Sequence, residues 1–146
     1  MIQLQWNNGE GFADLVEIDS AAALEGDDIT TAVIISLFTE QRLEAFEVAD
    51  GASRGGWWGS AFPAIAGDVE GSRVWLAAAR GRDDAEAINI IREGAELALQ
   101  WLLDDGVAES VVVEVERLRP GVIHLHVSVQ IDGDWRPRIS FTLSPQ

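Results

Sequence analysis

The spacing of apolar residues predicts a first helix in the N-terminal third of the chain. Apolar side chains recur at four-residue intervals from Ile29 to Leu37, a period typical of a helix with one buried face, and we place this helix at 29–44. Asp27 or Asp28 precedes the pattern and can cap the helix. Further apolar residues widen the surface beyond one stripe and predict contact on two sides, within the fold or with a partner. These residues are Ile34, Ile35 and Phe38.

A second helix has the clearest pattern in the chain. Asp83 and Asp84 can cap its start, and Gly106 is well placed to end it. Its apolar residues recur at intervals of three and four, so we expect one face of the helix to pack on a sheet. That face consists of Ile88, Ile91, Ala95, Ala98, Leu99 and Leu102.

Alternation of apolar and polar residues predicts the strands. An N-terminal hairpin is expected from strands at 3–6 and 12–18, joined by a turn rich in asparagine and glycine. Three C-terminal strands are expected at 110–116, 123–131 and 135–143, where they form an antiparallel meander. The turns between them contain Pro120, Gly121, Asp132, Gly133 and Asp134.

Together these elements predict one α+β domain covering 1–146, with a mainly antiparallel sheet and two main helices packed on it. A chain of 146 residues is long enough to bury one core. Its apolar fraction of 47% and its charged fraction of 24% are typical of globular proteins.

Charge and cysteine content restrict the possible partners. The 25 acidic residues against 10 basic ones give a net charge of −15, which repels phosphate backbones, so we predict no nucleic-acid partner. The same acidity suits a basic protein partner. Cysteine is absent, which removes disulfides, thiolate metal ligands and thiol catalysis. The sequence has neither a signal-peptide pattern nor an apolar run near the ~20 residues of a membrane helix, so we predict no membrane partner.

The segment 49–71 is rich in glycine and contains adjacent tryptophans, Trp57 and Trp58. This composition predicts an irregular loop held by large aromatic side chains. An extended backbone points neighbouring side chains in opposite directions, so one tryptophan is expected at the surface. There it can anchor an interface. Packing of both rings into the core from a bent loop is the alternative.

Two histidines raise the question of a metal site. His124 and His126 share one face of a predicted strand, a spacing that can place two imidazoles on one ion, with Glu114 or Glu116 as a further ligand. The solvent-facing side of a half-buried sheet also requires polar residues at these positions. We favour the second interpretation and predict no metal ion and no cofactor. A metal binder would instead retain zinc after dialysis.

Paired carboxylates suggest acid–base catalysis of the glycosidase type. Asp83 and Asp84 have a simpler role as helix caps. Asp104 and Asp105 lie near a helix C-terminus, where negative charge is mildly unfavourable, and this placement hints at a partner contact. No serine lies in a nucleophile elbow, and the glycines do not form a phosphate-binding loop. We therefore predict no catalytic residue.

Four runs of sequence resemble the Mu-like phage baseplate protein family, and they are spread over nearly the whole chain. The runs are TAVIISLFT at 31–39, RGGWWG at 54–59, GSRVWL at 71–76 and ALQWLLDDGVA at 98–108.

The resemblance implies a non-enzymatic part of a contractile tail, similar to the small gpW-like wedge subunits. Its expected partners are other baseplate and tail proteins, namely wedge, sheath or tube subunits. Its expected location is the virion tail baseplate, and the host cytoplasm during assembly. A lysozyme-like cell-wall hydrolase that uses Asp104 or Asp105 is the alternative. The residues predicted to contact a partner are Arg54, Trp57, Trp58, Arg73, Asp104 and Asp105.

Overall fold

The structure of the protein is a computed structural model, and its elements confirm the predicted α+β class. Among the described elements, no helix is both long and apolar enough to cross a bilayer. The described residues are 2–7, 12–17, 24–58, 62, 71–79 and 84–144. In chain order, the elements are β1 (Ile2–Asn7), β2 (Phe12–Glu17), α1 (Leu24–Phe38), a short 3-10 helix (Ala45–Glu47), α2 (Val74–Ala79), α3 (Ala85–Asp104), β3 (Ser110–Arg119), β4 (Val122–Ile131), β5 (Asp134–Trp135) and β6 (Ile139–Leu143).

The C-terminal meander is confirmed, with β4 at its centre. β3 pairs with one edge of β4, and β5 and β6 pair with the other, all antiparallel. The predicted third strand is divided in two around Pro137, which has no N–H to donate. Gln130 of β4 faces Trp135, and Val127 of β4 faces Ile139. Between these two pairs the chain advances four positions from β5 to β6 but only three positions along β4. This extra residue is a bulge that shifts the register.

The two faces of β4 differ in burial. On the face toward the helices, Ile123, Leu125 and Val127 are fully buried, and Val129 is 1% exposed. On the opposite face, the polar side chains are only partly buried, as alternation along a half-buried strand requires. The polar residues are His124, His126, Ser128 and Gln130.

Helix α3 begins and ends as the sequence predicts. The carboxylate of Asp84 accepts the N–H of Ala87 at 3.0 Å and so caps the helix. Asp83 lies outside the described residues. At the other end Gly106 adopts a φ of +69° and donates its N–H to the carbonyl of Leu103 at 3.1 Å. A glycine is suited to this left-handed position, which stops the helix.

The predicted face of α3 is mostly buried and packs against β3, α1 and α2. Ile88 is only partly buried, so the core stripe is displaced slightly from the predicted one. Gly94 is buried beside α2, where a Cβ would lie 3.4 Å from the backbone nitrogen of Val74. The small residue therefore permits close packing of the two helices. The buried residues of α3 are Ala87, Ile91, Gly94, Ala95, Leu99 and Leu102.

Both predicted boundaries of the first helix were wrong. α1 begins at Leu24, so Asp27 and Asp28 lie within the helix rather than at its cap. Leucine and glutamate at 24–25 are good helix formers and extend the helix backwards, while the acidic residues still lie near the positive end of its dipole. The helix ends at Phe38 and not at Glu44, because the next residues form hydrogen bonds with other parts of the chain.

The N-terminal hairpin is confirmed, but its strands form a separate two-stranded sheet. Asn7, the first residue of the predicted turn, belongs to β1, and the rest of the turn lies outside the described residues. β1 lies against α1 and does not pair with the C-terminal sheet. The buried apolar side chains of α1, α2, α3, β3, β4 and β6 form one cluster. The single domain over 1–146 stays a prediction.

The extended segment 39–43 follows α1 and is bonded on one side to Ser72. The N–H of Ser72 donates to the carbonyl of Thr39 at 2.9 Å, and the N–H of Gln41 donates to the carbonyl of Ser72 at 3.0 Å. The Ser72 hydroxyl, which is buried, donates to the carbonyl of Leu37. These bonds satisfy groups that the helix end leaves free and fix the direction of the chain beyond α1.

The other side of segment 39–43 is hydrogen-bonded to the tryptophan loop, our name for the glycine-rich segment 49–71 that contains Trp57 and Trp58. The N–H of Leu43 donates to the carbonyl of Arg54 at 2.9 Å, and the N–H of Trp57 donates to the carbonyl of Glu40 at 3.0 Å. Between these bonds, Gly56 has a φ of +94°, and a Cβ there would lie 2.5 Å from the Cβ of Arg42. Only glycine fits this close approach without movement of the chain.

Gly56→Ala is expected to destabilise the protein more than Gly51→Ala. Both glycines have a positive φ, so alanine costs about 1–2 kcal/mol at either position. At position 51 a Cβ meets nothing within 4 Å. At position 56 the clash with Arg42 adds roughly 1–3 kcal/mol. Urea unfolding of the wild type and both variants measures the difference, and equal losses would contradict the close approach.

Candidate functional site

A groove of about 820 Å³ lies between the end of α1, the last turns of α3 and the tryptophan loop. Its surface combines large apolar side chains with hydroxyl and carboxylate groups. Among the described residues that line it there is no histidine, lysine or arginine. The lining residues are Ile35, Ser36, Phe38, Thr39, Glu40, Trp57, Gly71, Ala98, Trp101 and Asp105.

Residues of α1 and α3 form one wall of the groove, and a hydrogen bond connects the two helices there. The indole N–H of Trp101 donates to the hydroxyl of Ser36 at 3.0 Å. The ring of Trp101 is 37% exposed, and the neighbouring Ile35 is 52% exposed. Ile34, by contrast, is buried in the core. The wide apolar surface predicted for the first helix therefore has one side in the core and one side in the groove.

The tryptophan loop forms the opposite wall. Its backbone is held where the N–H of Trp57 bonds to Glu40, and the ring of Trp57 is 45% exposed. The ring of Trp58 is 77% exposed and lies 5.6 Å from that of Trp57, centre to centre, at an angle of 52°. Both rings are thus at the surface, more than the single exposed ring expected from the sequence. Gly59, the next residue, lies outside the described residues.

The two arginines predicted as partner contacts make internal contacts. The guanidinium of Arg73 forms two hydrogen bonds with the carboxylate of Glu47. Arg54 donates from Nε to the carbonyl of Leu43 and lies 3.5 Å from the carboxylate of Glu44. These contacts connect Arg54, within the tryptophan loop, and Arg73, just after it, to the 3-10 helix and the two residues before it. A role for either arginine at an interface stays a prediction.

The two aspartates at the end of α3 have different surroundings. Asp104 accepts a hydrogen bond from the side chain of Gln100 at 3.0 Å. Asp105 forms the C-terminal cap of α3, donates its N–H to the carbonyl of Trp101 at 2.9 Å, and lines the groove. Of the six predicted interface residues, Trp57 and Asp105 line the groove. Trp58 lies beside Trp57 without lining it, and Arg54, Arg73 and Asp104 are also outside the lining residues.

Trp101 lines the groove but was not predicted as an interface residue, whereas Ile35 belongs to the wide apolar surface predicted to contact the fold or a partner. The sequence did contain a signal for Trp101. On an amphipathic helix, a large apolar residue away from the buried stripe has no core to occupy, and both Leu97 and Trp101 of α3 have such positions. Leu97 is 66% exposed and lies outside the lining residues. That signal therefore marks an exposed apolar face without giving its limits.

A second cluster of polar side chains lies on the outer face of the sheet. His124 and His126 share this face, and Glu116 of β3 approaches both of them. Glu114, the other predicted ligand, instead forms an ion pair with Arg138 at 3.0 Å. Within the described part of the chain, this is the group of histidine and acidic side chains whose atoms are close enough to share an ion.

The contacts of Glu47 affect its protonation. The N–H of Glu44 donates to the Glu47 carboxylate at 2.8 Å. This hydrogen bond is the main reason that the pKa of Glu47 is lowered; desolvation opposes it, and the contact with Arg73 adds to the lowering. The carboxylate is therefore held in its charged form at the base of the tryptophan loop.

Fold and groove together define a small α+β protein with exposed aromatic residues at a helix–loop junction. The sequence profile of the family described as "Phage protein GP46" matches residues 29–135. The chain belongs to this family.

Two relatives match over nearly the whole chain. The protein is 37% identical over 138 residues to the Mu-like prophage FluMu protein gp46 of Haemophilus influenzae. The aligned residues make up 94% of this chain and 92% of the relative. It is 35% identical over 135 residues to the baseplate protein gp46 of Escherichia phage Mu, over 90% of this chain and 88% of that protein. The resemblance to Mu-like phage baseplate proteins is thereby confirmed.

Glu47→Gln is expected to lower the Tm at neutral pH and to have progressively less effect as the pH falls below about 4. A folded-state pKa lower than the ordinary glutamate value of about 4.3 means that ionised Glu47 stabilises the fold above that value. This stabilisation is lost as the pH falls through the lowered pKa. Thermal unfolding from pH 7 to pH 3 measures it.

Glu93→Gln provides the control for this prediction, since it removes the same charge from an exposed position on α3. Its effect on the Tm is expected to be small across the range. A Glu47→Gln effect that stayed constant down to pH 3, or that matched the Glu93→Gln effect, would contradict the role of the Glu44 and Arg73 contacts.

Proposed function

We propose that the protein is a structural component of a contractile phage tail baseplate and that the groove is its main contact with a neighbouring subunit. The family and the name of the phage Mu relative, a baseplate protein, support the location. The exposed aromatic groove supports the mode of contact. During assembly the protein passes through the host cytoplasm, and its place in the particle is that of a small wedge-like subunit.

The observation that carries the proposal is the exposure of large apolar side chains around one groove. Ile35 is 52% exposed, Trp57 45% and Trp101 37%. Tryptophan is enriched among the residues that dominate binding energy, because it covers a large area with little loss of side-chain freedom. The groove backbone is fixed by hydrogen bonds, so a partner meets a preformed surface.

We propose a neighbouring baseplate or tail subunit, in the wedge, sheath or tube, as the occupant of the groove. A segment of that subunit would insert apolar side chains between Trp57 and Trp101. The same segment would present basic side chains to the carboxylates of Glu40 and Asp105. A second copy of this chain is a poor occupant, because two chains of net charge −15 repel each other. Charge complementarity therefore favours a basic partner.

The alternative, a carboxylate-based cell-wall hydrolase, is less well supported. Asp105 has a structural role at the C-terminal cap of α3, and Asp104 is hydrogen-bonded to Gln100. The named relatives are a baseplate protein and a prophage protein, and neither name refers to hydrolysis. A non-enzymatic role accounts for these features. Release of soluble fragments from peptidoglycan by the wild type, abolished by Asp105→Asn, would support the hydrolase instead.

Trp57→Ala and Trp58→Ala are expected to weaken co-purification of the tagged protein with the baseplate proteins encoded beside it. Loss of a buried tryptophan anchor costs about 2 kcal/mol or more, a factor of roughly 30 in affinity. Because Trp57 lines the groove and Trp58 only lies beside Trp57, the Trp57 variant should lose more affinity. Circular dichroism establishes that each variant is folded.

Trp135→Ala is the matched control for the co-purification. Trp135 is 53% exposed, similar to Trp57, but it lies on β5 outside the groove. Its complexes should be as stable as those of the wild type. Wild-type-like complexes of folded Trp57→Ala, or equal losses for Trp57→Ala and Trp135→Ala, would contradict the groove as the contact surface.

A further inference from the structure

The outer face of the C-terminal sheet brings together two imidazoles and one carboxylate. His124 and Glu116 face each other directly across β4 and β3, and His126 lies two residues further along the same face. Glu116 Oε1 is 3.3 Å from Nε2 of His126 and 4.0 Å from Nδ1 of His124. The three ligand atoms all lie within 4.8 Å of one another.

These distances are close to those that a zinc ion requires. Zinc binds nitrogen at about 2.0–2.1 Å and carboxylate oxygen at about 2.0–2.2 Å, which separates tetrahedral ligand atoms by about 3.3–3.4 Å. The Glu116–His126 distance already has this value. The distance between Glu116 and His124 must shorten by under about 1 Å, which movement of the exposed Glu116 side chain can supply. The ligand nitrogens of the two histidines, at most 4.8 Å apart, must approach by up to about 1.5 Å, which rotation of the partly exposed His124 ring can supply.

A hydrogen bond from β6 orients the second imidazole. Nδ1 of His126 lies 2.8 Å from the hydroxyl of Ser140. When the N–H at Nδ1 donates a hydrogen bond to that hydroxyl, Nε2 is unprotonated and its lone pair faces Glu116, so that a metal ion between them can bind both. Metal-binding histidines depend on such partners, which fix the ring and its tautomer. The side chain of His126 is only 12% exposed, so neighbouring residues also restrict its motion.

We propose that Glu116, His124 and His126 form a zinc site, with water in the open fourth position. The sequence favoured the simpler interpretation, a polar sheet face without a metal ion. The geometry adds what the sequence did not contain: a carboxylate that approaches both rings, and a serine that fixes one of them. The site lies on the sheet face away from the helices and is independent of the groove.

Zinc titration of the dialysed, untagged chain by isothermal calorimetry tests the proposal. One zinc ion per chain is expected for the wild type, and binding with this stoichiometry should vanish in His124→Ala, His126→Ala and Glu116→Gln. Ser140→Ala should keep the stoichiometry and weaken binding by about 10- to 100-fold, because Ser140 acts through His126. Zinc should also raise the Tm of the wild type and not that of the histidine variants.

Glu114→Gln is the matched control, since it removes a carboxylate from the same strand face but not from the cluster. It should bind one zinc ion with unchanged affinity. Absence of binding by the wild type would overturn the proposal. Equal binding by the wild type and both histidine variants would also overturn it, because the ion would then be bound by other surface carboxylates. Full binding by Glu116→Gln would exclude Glu116 as a ligand and overturn it as well.

Discussion

The hydrogen bonding of segment 39–43 on both of its sides is the constraint on which the groove depends. Because this segment bonds to Ser72 on one side and to the tryptophan loop on the other, α1 ends at Phe38 instead of continuing. The same bonds place Trp57 opposite the end of α3, where Trp101 is bonded to α1. Gly56 permits this arrangement because it has no Cβ. Backbone geometry, rather than hydrophobic attraction alone, thus holds the exposed rings in place.

One-sided burial of the C-terminal sheet separates the two surfaces proposed to bind. The inner face of β4 and the buried face of α3 share one core, and the groove opens at the edge of that layer. Among the described residues no helix covers the outer face, and His124 and His126 there are partly accessible. A partner in the groove and a zinc ion on the sheet therefore occupy separate surfaces, and the loss of one need not affect the other.

Local signals in the sequence predicted α3, the β3–β4 hairpin and their turns, because periodicity, capping and turn residues act over a few positions. The end of α1 depends on hydrogen bonds to residues far along the chain, which no local pattern contains. The internal contacts of Arg54 with Leu43 and of Arg73 with Glu47 also join distant parts of the chain, and no local pattern predicted them. The approach of Glu116 to both histidines depends on strand register, which the sequence restricts but does not fix.

Photocross-linking from inside the groove determines whether a neighbouring subunit occupies it. A photoreactive amino acid replaces Ile35, which is 52% exposed in the groove, or Leu118, which is 58% exposed on β3 outside it. In assembled baseplates, we expect a cross-link from position 35 to a different, basic baseplate subunit. A cross-link from position 118 with none from position 35, or a cross-link from position 35 to a second copy of this chain, would contradict this expectation.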